Sequence, residues 1–280
     1  MRIKILSDST CDLPQSLLEK HNISLFPLTV IKDGESFLDN VTITPADIFD
    51  HVANGGSLCS TSAGNFADYS ALFAKYSEEY DGVLHISLGS GFSSSYQNAC
   101  LAASDYNNVR VVDSQNLSTG QGHVVLYACA KAAECDSLEV LHAEVQAYTE
   151  KVEASFLLDR LEYMVKGGRC SAAAALGANL LNLKPCIEVK NGKMSVVKKY
   201  RGSYAKCLGA YVKDRLDNRE DLTRHLLFLT YTSVTDECLQ TVRDAITAYG
   251  HFEQVKESTA GCTISCHCGP GTLGILFVRK

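Results

Sequence analysis

The segment SLGSGFSSSYQNA, residues 87–99, sets serines at 87, 90, 93, 94 and 95 around Gly89 and Gly91. Hydroxyls and backbone N–H groups in such a loop can hold an anion. The helix-forming tail that follows would add the partial positive charge of its N-terminus. Two further segments share this chemistry. SLCSTSAGNF brings Ser60, Thr61 and Ser62 in front of an apolar-periodic run, and DSQNLSTGQG brings Ser114, Ser118 and Thr119. Lys and Arg are nearly missing from these loops. Phosphate usually recruits a cation, whereas one carboxylate can be held by hydroxyls and N–H groups. The pattern therefore favours a carboxylate.

Competing chemistries fit the same loop less well. Gly89-x-Gly91-x-x-Ser94 nearly matches a dinucleotide fingerprint, with Asp113 at the end of the next strand, but its third position is Ser instead of Gly or Ala. A phosphate loop would need Gly-Lys-Ser/Thr, and a hydrolase elbow would need Gly-x-Ser-x-Gly; neither is present. His267 could still act as a base for Ser93, so a hydrolytic or nucleotide-dependent enzyme stays open as the alternative. GCTISCHCGPG raises the question of a metal through Cys262, Cys266, His267 and Cys268. Alternation in TISCHC predicts a strand, with Cys266 and Cys268 on one face and His267 on the other. That geometry suits a tetrahedral site poorly, and no metal is expected.

These loops belong to a chain of 280 residues, long for one core and sufficient for two domains. With 46% hydrophobic and 21% charged residues it has an ordinary globular composition. A net charge of −6 argues against a nucleic-acid partner, since phosphate contacts need a basic face. No apolar run reaches the roughly 18–20 residues of a membrane span. The opening MRIKILSDST enters directly on a strand-like run, and the twelve Cys are scattered through apolar segments. Reduced, mostly buried thiols and a cytoplasmic location are the expectation.

The elements that must position the loops fall into two halves. In the first, RIKILSD, GVLHISL and VRVVDS read as buried strands separated by helices over PQSLLEKH, NFADYSALFAKYSEEY, SSYQNACLAASDY and GQGHVVLYACAKAAEC. ISLFPLTVIK is extended and TPADIFDHVAN is helical, with Thr44 as N-cap. Strand–helix alternation predicts crossover connections and a mostly parallel sheet over residues 1–153. Ligands bind such sheets beyond the carboxyl ends of the strands, where the hydroxyl loops fall. Residues 154–280 predict a second α/β domain with a mixed or antiparallel sheet, including a hairpin turned at Asn191-Gly192. Small side chains in CSAAAALGANLLNL suit the wall of a tunnel, although an apolar helix of this kind also suits a plain core.

Taken together and in order, SDSTCDLP, STSAGN, SLGSGFSSSYQNA, VVDSQNLSTGQG, LEYMVKGGR, LKPCIEVKNGKM and HCGPGTLGILF resemble the DegV family of fatty-acid-binding proteins over the whole chain. The resemblance implies a Rossmann-like first domain, a second domain with its own sheet, and a long-chain fatty acid held between the two, with no cofactor. It also implies a partner: a separate ATP-dependent fatty acid kinase subunit that phosphorylates the presented carboxylate to an acyl phosphate. On that view the chain is a substrate-presenting protein and not a self-sufficient enzyme. By motif, Thr61 and Ser93 hold the carboxylate, with Ser62, Ser94 and His267 beside them. Arg169 and Arg201 face the head group or the kinase. Two departures stand out: the family's Thr-Ser-x-Pro-Ser is TSAGN here, and its Ser-Gly-Thr-Tyr is SSSY.

Overall fold

The computed structural model describes residues 1–175 and 183–280. The chain begins β1 (Ile3–Asp8), α1 (Gln15–Lys20), β2 (Ser24–Phe26), β3 (Thr29–Lys32), β4 (Glu35–Leu38), α2 (Pro45–Ala53), β5 (Ser60–Ser62) and α3 (Phe66–Glu79). It continues β6 (Gly82–Ser87), α4 (Ser95–Ala103), β7 (Val109–Asp113), α5 (Ser118–Ala132) and α6 (Leu138–Tyr148). The remainder is β8 (Val152–Leu158), α7 (Glu162–Gly167), α8 (Ser171–Ala174), β9 (Leu183–Lys190), β10 (Lys193–Arg201) and α9 (Tyr204–Leu216). It ends with β11 (Leu226–Tyr231), α10 (Asp236–Tyr249), β12 (Gln254–Thr259), α11 (Cys262–Cys268) and β13 (Thr272–Val278).

A parallel sheet in the order β2-β1-β6-β7 forms the first half, as the alternation of buried strands and helices requires. The second half is a mixed six-stranded sheet, β10-β9-β8-β13-β11-β12, in which only β11 and β12 run parallel. Its β9–β10 hairpin turns at Asn191 and Gly192, both left-handed in φ (50° and 69°). Helix α5 lies between the sheets and touches strands of both, and one apolar cluster runs from Leu84 and Val112 through Val125 to Phe156 and Leu276. That shared core is why no linker-like composition marks the passage into β8. Thr44 caps α2 through a full capping box with Asp47. All twelve cysteines are unpaired, and nine of them are buried. Of the alanine-rich stretch 170–183, residues 176–182 lie outside the described residues.

Two features depart from the sequence expectations. A third, antiparallel sheet, β4-β3-β5, stands beside the parallel one; its β3–β4 turn is Asp33-Gly34, a hairpin signal. The predicted strand over TISCHC is instead helix α11. In helical spacing Cys262 and Cys266 share a face, packed with Cys59, Val30, Ile43 and Ile48. Gly269-Pro270 stops the helix. Its start depends on distant acids: Asp12 Oδ1 accepts from Gly261 N (2.9 Å) and Asp39 Oδ1 accepts from Cys262 N (2.8 Å). A helix whose caps lie more than two hundred residues upstream leaves only its two-residue alternation in the local sequence.

Asp12 is fully enclosed. Burial pushes its carboxyl up to about 8, against the hydrogen bonds from Ser118 and Gly261. The folded chain then holds a proton there that the unfolded chain gives up near 4, so this group's contribution to stability falls as pH rises from about 4 to about 8. We expect Asp12→Asn to gain stability relative to the parent protein across that window, measured as the difference in urea midpoint at pH 5 and pH 8. A difference that does not move with pH would contradict it.

Candidate functional site

The serine loop leaves β6 under control of buried carboxylates. Asp8, at the end of β1, accepts from Leu88 N (2.7 Å), Ser87 Oγ (2.8 Å), Tyr69 OH (2.7 Å) and His85 Nε2 (3.1 Å). Burial alone would raise the Asp8 carboxyl, but the imidazole and these bonds outweigh it and hold it below the usual carboxylate range. Asp113, the residue suited to a ribose in a dinucleotide site, instead accepts from Ser90 N (3.0 Å), Ser90 Oγ (2.5 Å) and Gln115 N (2.9 Å). The turn of the β9–β10 hairpin presses on the loop, so a side chain at Gly91 would collide with the carbonyl of Gly192.

Thr61 reaches the same place from β5, which pairs with β3 at Val30. The TSAGN loop after it is tied to α4: Gly64 N donates to Ser95 Oγ (3.2 Å) and Asn98 Nδ2 donates to Gly64 O (2.7 Å). Asn65, where the family pattern has its last Ser, caps α3 by accepting from Asp68 N (2.9 Å). The altered loop thus keeps its anchorage.

Hydrogen-bond bookkeeping sets the direction of the two key hydroxyls. A hydroxyl has one proton and two acceptor lone pairs. Ser93 Oγ accepts from Ser95 N (3.1 Å) and lies 2.9 Å from Ser95 Oγ, whose proton is free to point at it. Thr61 Oγ1 lies 2.8 Å from Nε2 of His267 on α11. The other ring nitrogen, Nδ1, is buried without a partner among the described residues. An unpaired acceptor is tolerated better there than an unpaired N–H, which assigns the proton to Nε2 and makes His267 the donor to Thr61. Both oxygens are therefore served from behind; the Thr61 proton is left for a ligand, and the Ser93 proton is left when Ser95 Oγ is the donor of their shared bond.

Burial, and after it the charge of Arg169, pushes His267 down to about 4, so the ring is neutral near pH 7. Gly167 ends α7 directly against Nδ1, where a Cβ would strike the ring. KGGR thus supplies the space that the imidazole needs.

Thr61, Ser62, Ser93, Arg169 and His267 line one cleft, together with Leu28, Leu88, Phe92, Leu117, Met164 and Met194. Arg169 is exposed at this cleft and bonds the carbonyl of Gly167 (2.8 Å). Ser94 is exposed, stands at the N-cap of α4 without a side-chain cap bond, and does not line the cleft. Arg201, at the end of β10 opposite Leu183, does not line it either. Leu117, Ile264 and Cys268 also line a second, apolar pocket with Ala154, Phe156 and Leu276. Sequence reasoning passed over Ser95, Asn98 and Thr263, the last also in the cleft wall. Ser95 is one of the serines of the 87–99 segment, and its work as the brace of the TSAGN loop depends on Gly64, 31 residues away.

Several chemistries can now be compared. Ser93 is bonded to Ser95, whereas His267 meets Thr61 and has no acid on Nδ1 among the described residues. A nucleophile–base–acid relay is broken at both joints. Also among the described residues, no group of three or more His, Cys, Asp or Glu side chains is arranged to hold a metal ion. No described helix is long and apolar enough to cross a membrane. What remains is a pair of neutral hydroxyl donors above an apolar space, and that suits an amphiphilic anion.

Fold and cleft define an α/β protein of three sheets with a hydroxyl-rimmed apolar cleft. The chain belongs to the DegV family, matching the family described as "Uncharacterised protein, DegV family" over residues 2–280. A DegV domain-containing protein of Clostridium acetobutylicum is 32% identical over 286 residues, covering 100% of this chain and 99% of the relative. A DegV family protein from Thermus thermophilus, described for its fatty acid binding, superposes with a TM-score of 0.90 at 31% identity, covering 100% of both chains. A Thermotoga maritima protein described as a DegV lipid binding protein gives 0.86 at 28% identity, again covering 100% of both.

His267 provides a test of this geometry. The unfolded chain protonates this ring near 6.5 and the folded one only near 4, so its stabilising contribution is present above about 6.5 and is lost as pH falls to about 4. His123, pushed down to about 4 by burial, behaves alike. We expect the His267 ring resonances to titrate with a midpoint near 4, and His267→Gln to remove part of the acid sensitivity. A midpoint near 6.5 would mean that the ring is solvated and does not brace Thr61.

Proposed function

We propose that this protein binds one long-chain fatty acid between residues 1–153 and residues 154–280 and presents the carboxylate to a separate ATP-dependent kinase subunit. The observation that carries this reading is the pairing of Thr61 and Ser93. Both hydroxyls line one cleft, with their oxygens engaged from behind by His267 and Ser95. Two O–H donors can meet the two oxygens of one carboxylate. The fatty-acid and lipid binding described for the Thermus and Thermotoga relatives supports the choice of ligand.

The acyl chain would run past Phe92, Met164 and Met194 towards the wall at Leu117, Ile264 and Cys268, with the second apolar cavity beyond it. Each buried CH₂ contributes about 0.8 kcal/mol, so about fifteen of them give a gross gain near 12 kcal/mol. Burying the carboxylate opposes binding unless donors await it. Tail burial thus supplies affinity, and the hydroxyls supply placement.

In the phosphorylation step, a carboxylate oxygen bonds to the γ-phosphorus of ATP, the bond to the bridging oxygen breaks, and ADP departs. Charge on the transferred phosphoryl group favours nearby cations. Arg169 at the cleft takes this role. Arg201, set away from the cleft, is assigned to contact with the kinase.

Thr61→Ala and Ser93→Ala each remove one hydroxyl bond to a charge, worth roughly 1.5–3 kcal/mol, or about ten- to a hundred-fold in Kd. Isothermal titration with hexadecanoic acid should show that loss while the far-ultraviolet circular dichroism of the folded protein is unchanged. Unchanged binding in both variants and in the double variant would overturn the assignment, and an acyl group found on Ser93 by mass spectrometry would favour hydrolysis. For the kinase step, Arg201→Ala should bind fatty acid normally yet slow acyl-phosphate formation with the cognate kinase. A parallel loss in both assays would return Arg201 to the binding site.

A further inference from the structure

One polar group in the cleft wall has no task in holding the carboxylate. The hydroxyl of Thr263 is buried, with the residue only 4% exposed, and has no hydrogen-bond partner among the described residues. Threonines inside helices usually return such a proton to the carbonyl four residues back. Thr263 is the second residue of α11, and the residue four back, Thr259, belongs to strand β12. An unpaired buried hydroxyl is costly, and one facing an alkyl chain would stay unpaired.

Position says what it could meet. Thr263 and His267 are four residues apart on one helix and line the same cleft, so the two side chains share a face about one turn, or about 5.4 Å, apart. His267 marks the level of Thr61 and hence of the head group. Apart from the hydroxyls, Arg169 and His267, the cleft is lined largely by apolar groups, Leu28, Leu117 and Met164 among them. We propose that Thr263 is a specificity-determining residue that hydrogen-bonds a hydroxyl on about the third to fifth carbon of the acyl chain, making hydroxy fatty acids the preferred ligands. This rests on the fatty-acid reading of the cleft. A site built to pair a substrate hydroxyl discriminates strongly against the analogue that lacks it, because its own polar group is then stranded.

The test titrates the full-length protein with hexadecanoic acid and with its 3- and 5-hydroxy derivatives. Wild type should bind at least one hydroxy acid about tenfold or more tighter than hexadecanoic acid. Thr263→Val, equal in shape, should abolish that preference while binding hexadecanoic acid at least as well, and Thr263→Ser should keep it. The proposal is overturned if wild type prefers neither hydroxy acid. It is equally overturned if Thr263→Val weakens all three ligands alike, which would count Thr263 among the carboxylate donors. Tight binding of hexadecanoic acid alone sinks this inference and leaves the fatty-acid reading standing; binding of none of the three sinks both.

Discussion

Helix α11 exists because two aspartates from the first forty residues accept its leading N–H groups. Seven residues make a poor helix in isolation, since nucleation costs more than so few bonds return. Asp12 and Asp39 supply the missing acceptors, and they are themselves held, Asp12 by Ser118 Oγ and Asp39 by Ser9 Oγ. The cleft depends on this arrangement. Thr263, Ile264, His267 and Cys268 all reach its wall from α11.

The same device recurs at the other loops. Asp8 and Asp113 end the parallel strands on either side of β6 and take up donors of the loop that leaves β6. A carboxylate is an acceptor with about four lone-pair sites, so one aspartate can fix several N–H and O–H groups in a turn. Loops fixed this way keep their remaining hydroxyl protons for the cleft. The acids sit behind the loops and the hydroxyl protons face forward, so an anion meets donors there and not negative charge. Neutral His267 fits this scheme, because a ring held below its usual range donates through Nε2 without carrying a charge.

Much of the architecture is written in local patterns. The buried runs of β1, β6 and β7, the helical spacing of α3, the Thr44 cap and the Asn191-Gly192 turn each follow from side-chain period or turn chemistry within a few residues. The Asp33-Gly34 turn was equally legible, and so was the Gly269-Pro270 stop that should have argued for a helix before it. What misled was the two-residue alternation of TISCHC, a period that a short helix packed on two sides can show by accident.

By itself the sequence determined the kinds of elements, the parallel character of the first sheet, and the concentration of hydroxyls beyond its strands, because periodicity and turn chemistry act over neighbouring residues. It also held the motifs that place the chain in its family. Tertiary structure alone decided which hydroxyls become ligand donors. Thr61 is set by an imidazole 206 residues away, and the imidazole by the missing side chain of Gly167. It likewise separated Ser94 and Arg201 from the cleft while admitting Thr263. The direction of a hydroxyl proton depends on which donors occupy its lone pairs, and for Thr61 that donor comes from a distant part of the chain that only the folded structure brings close.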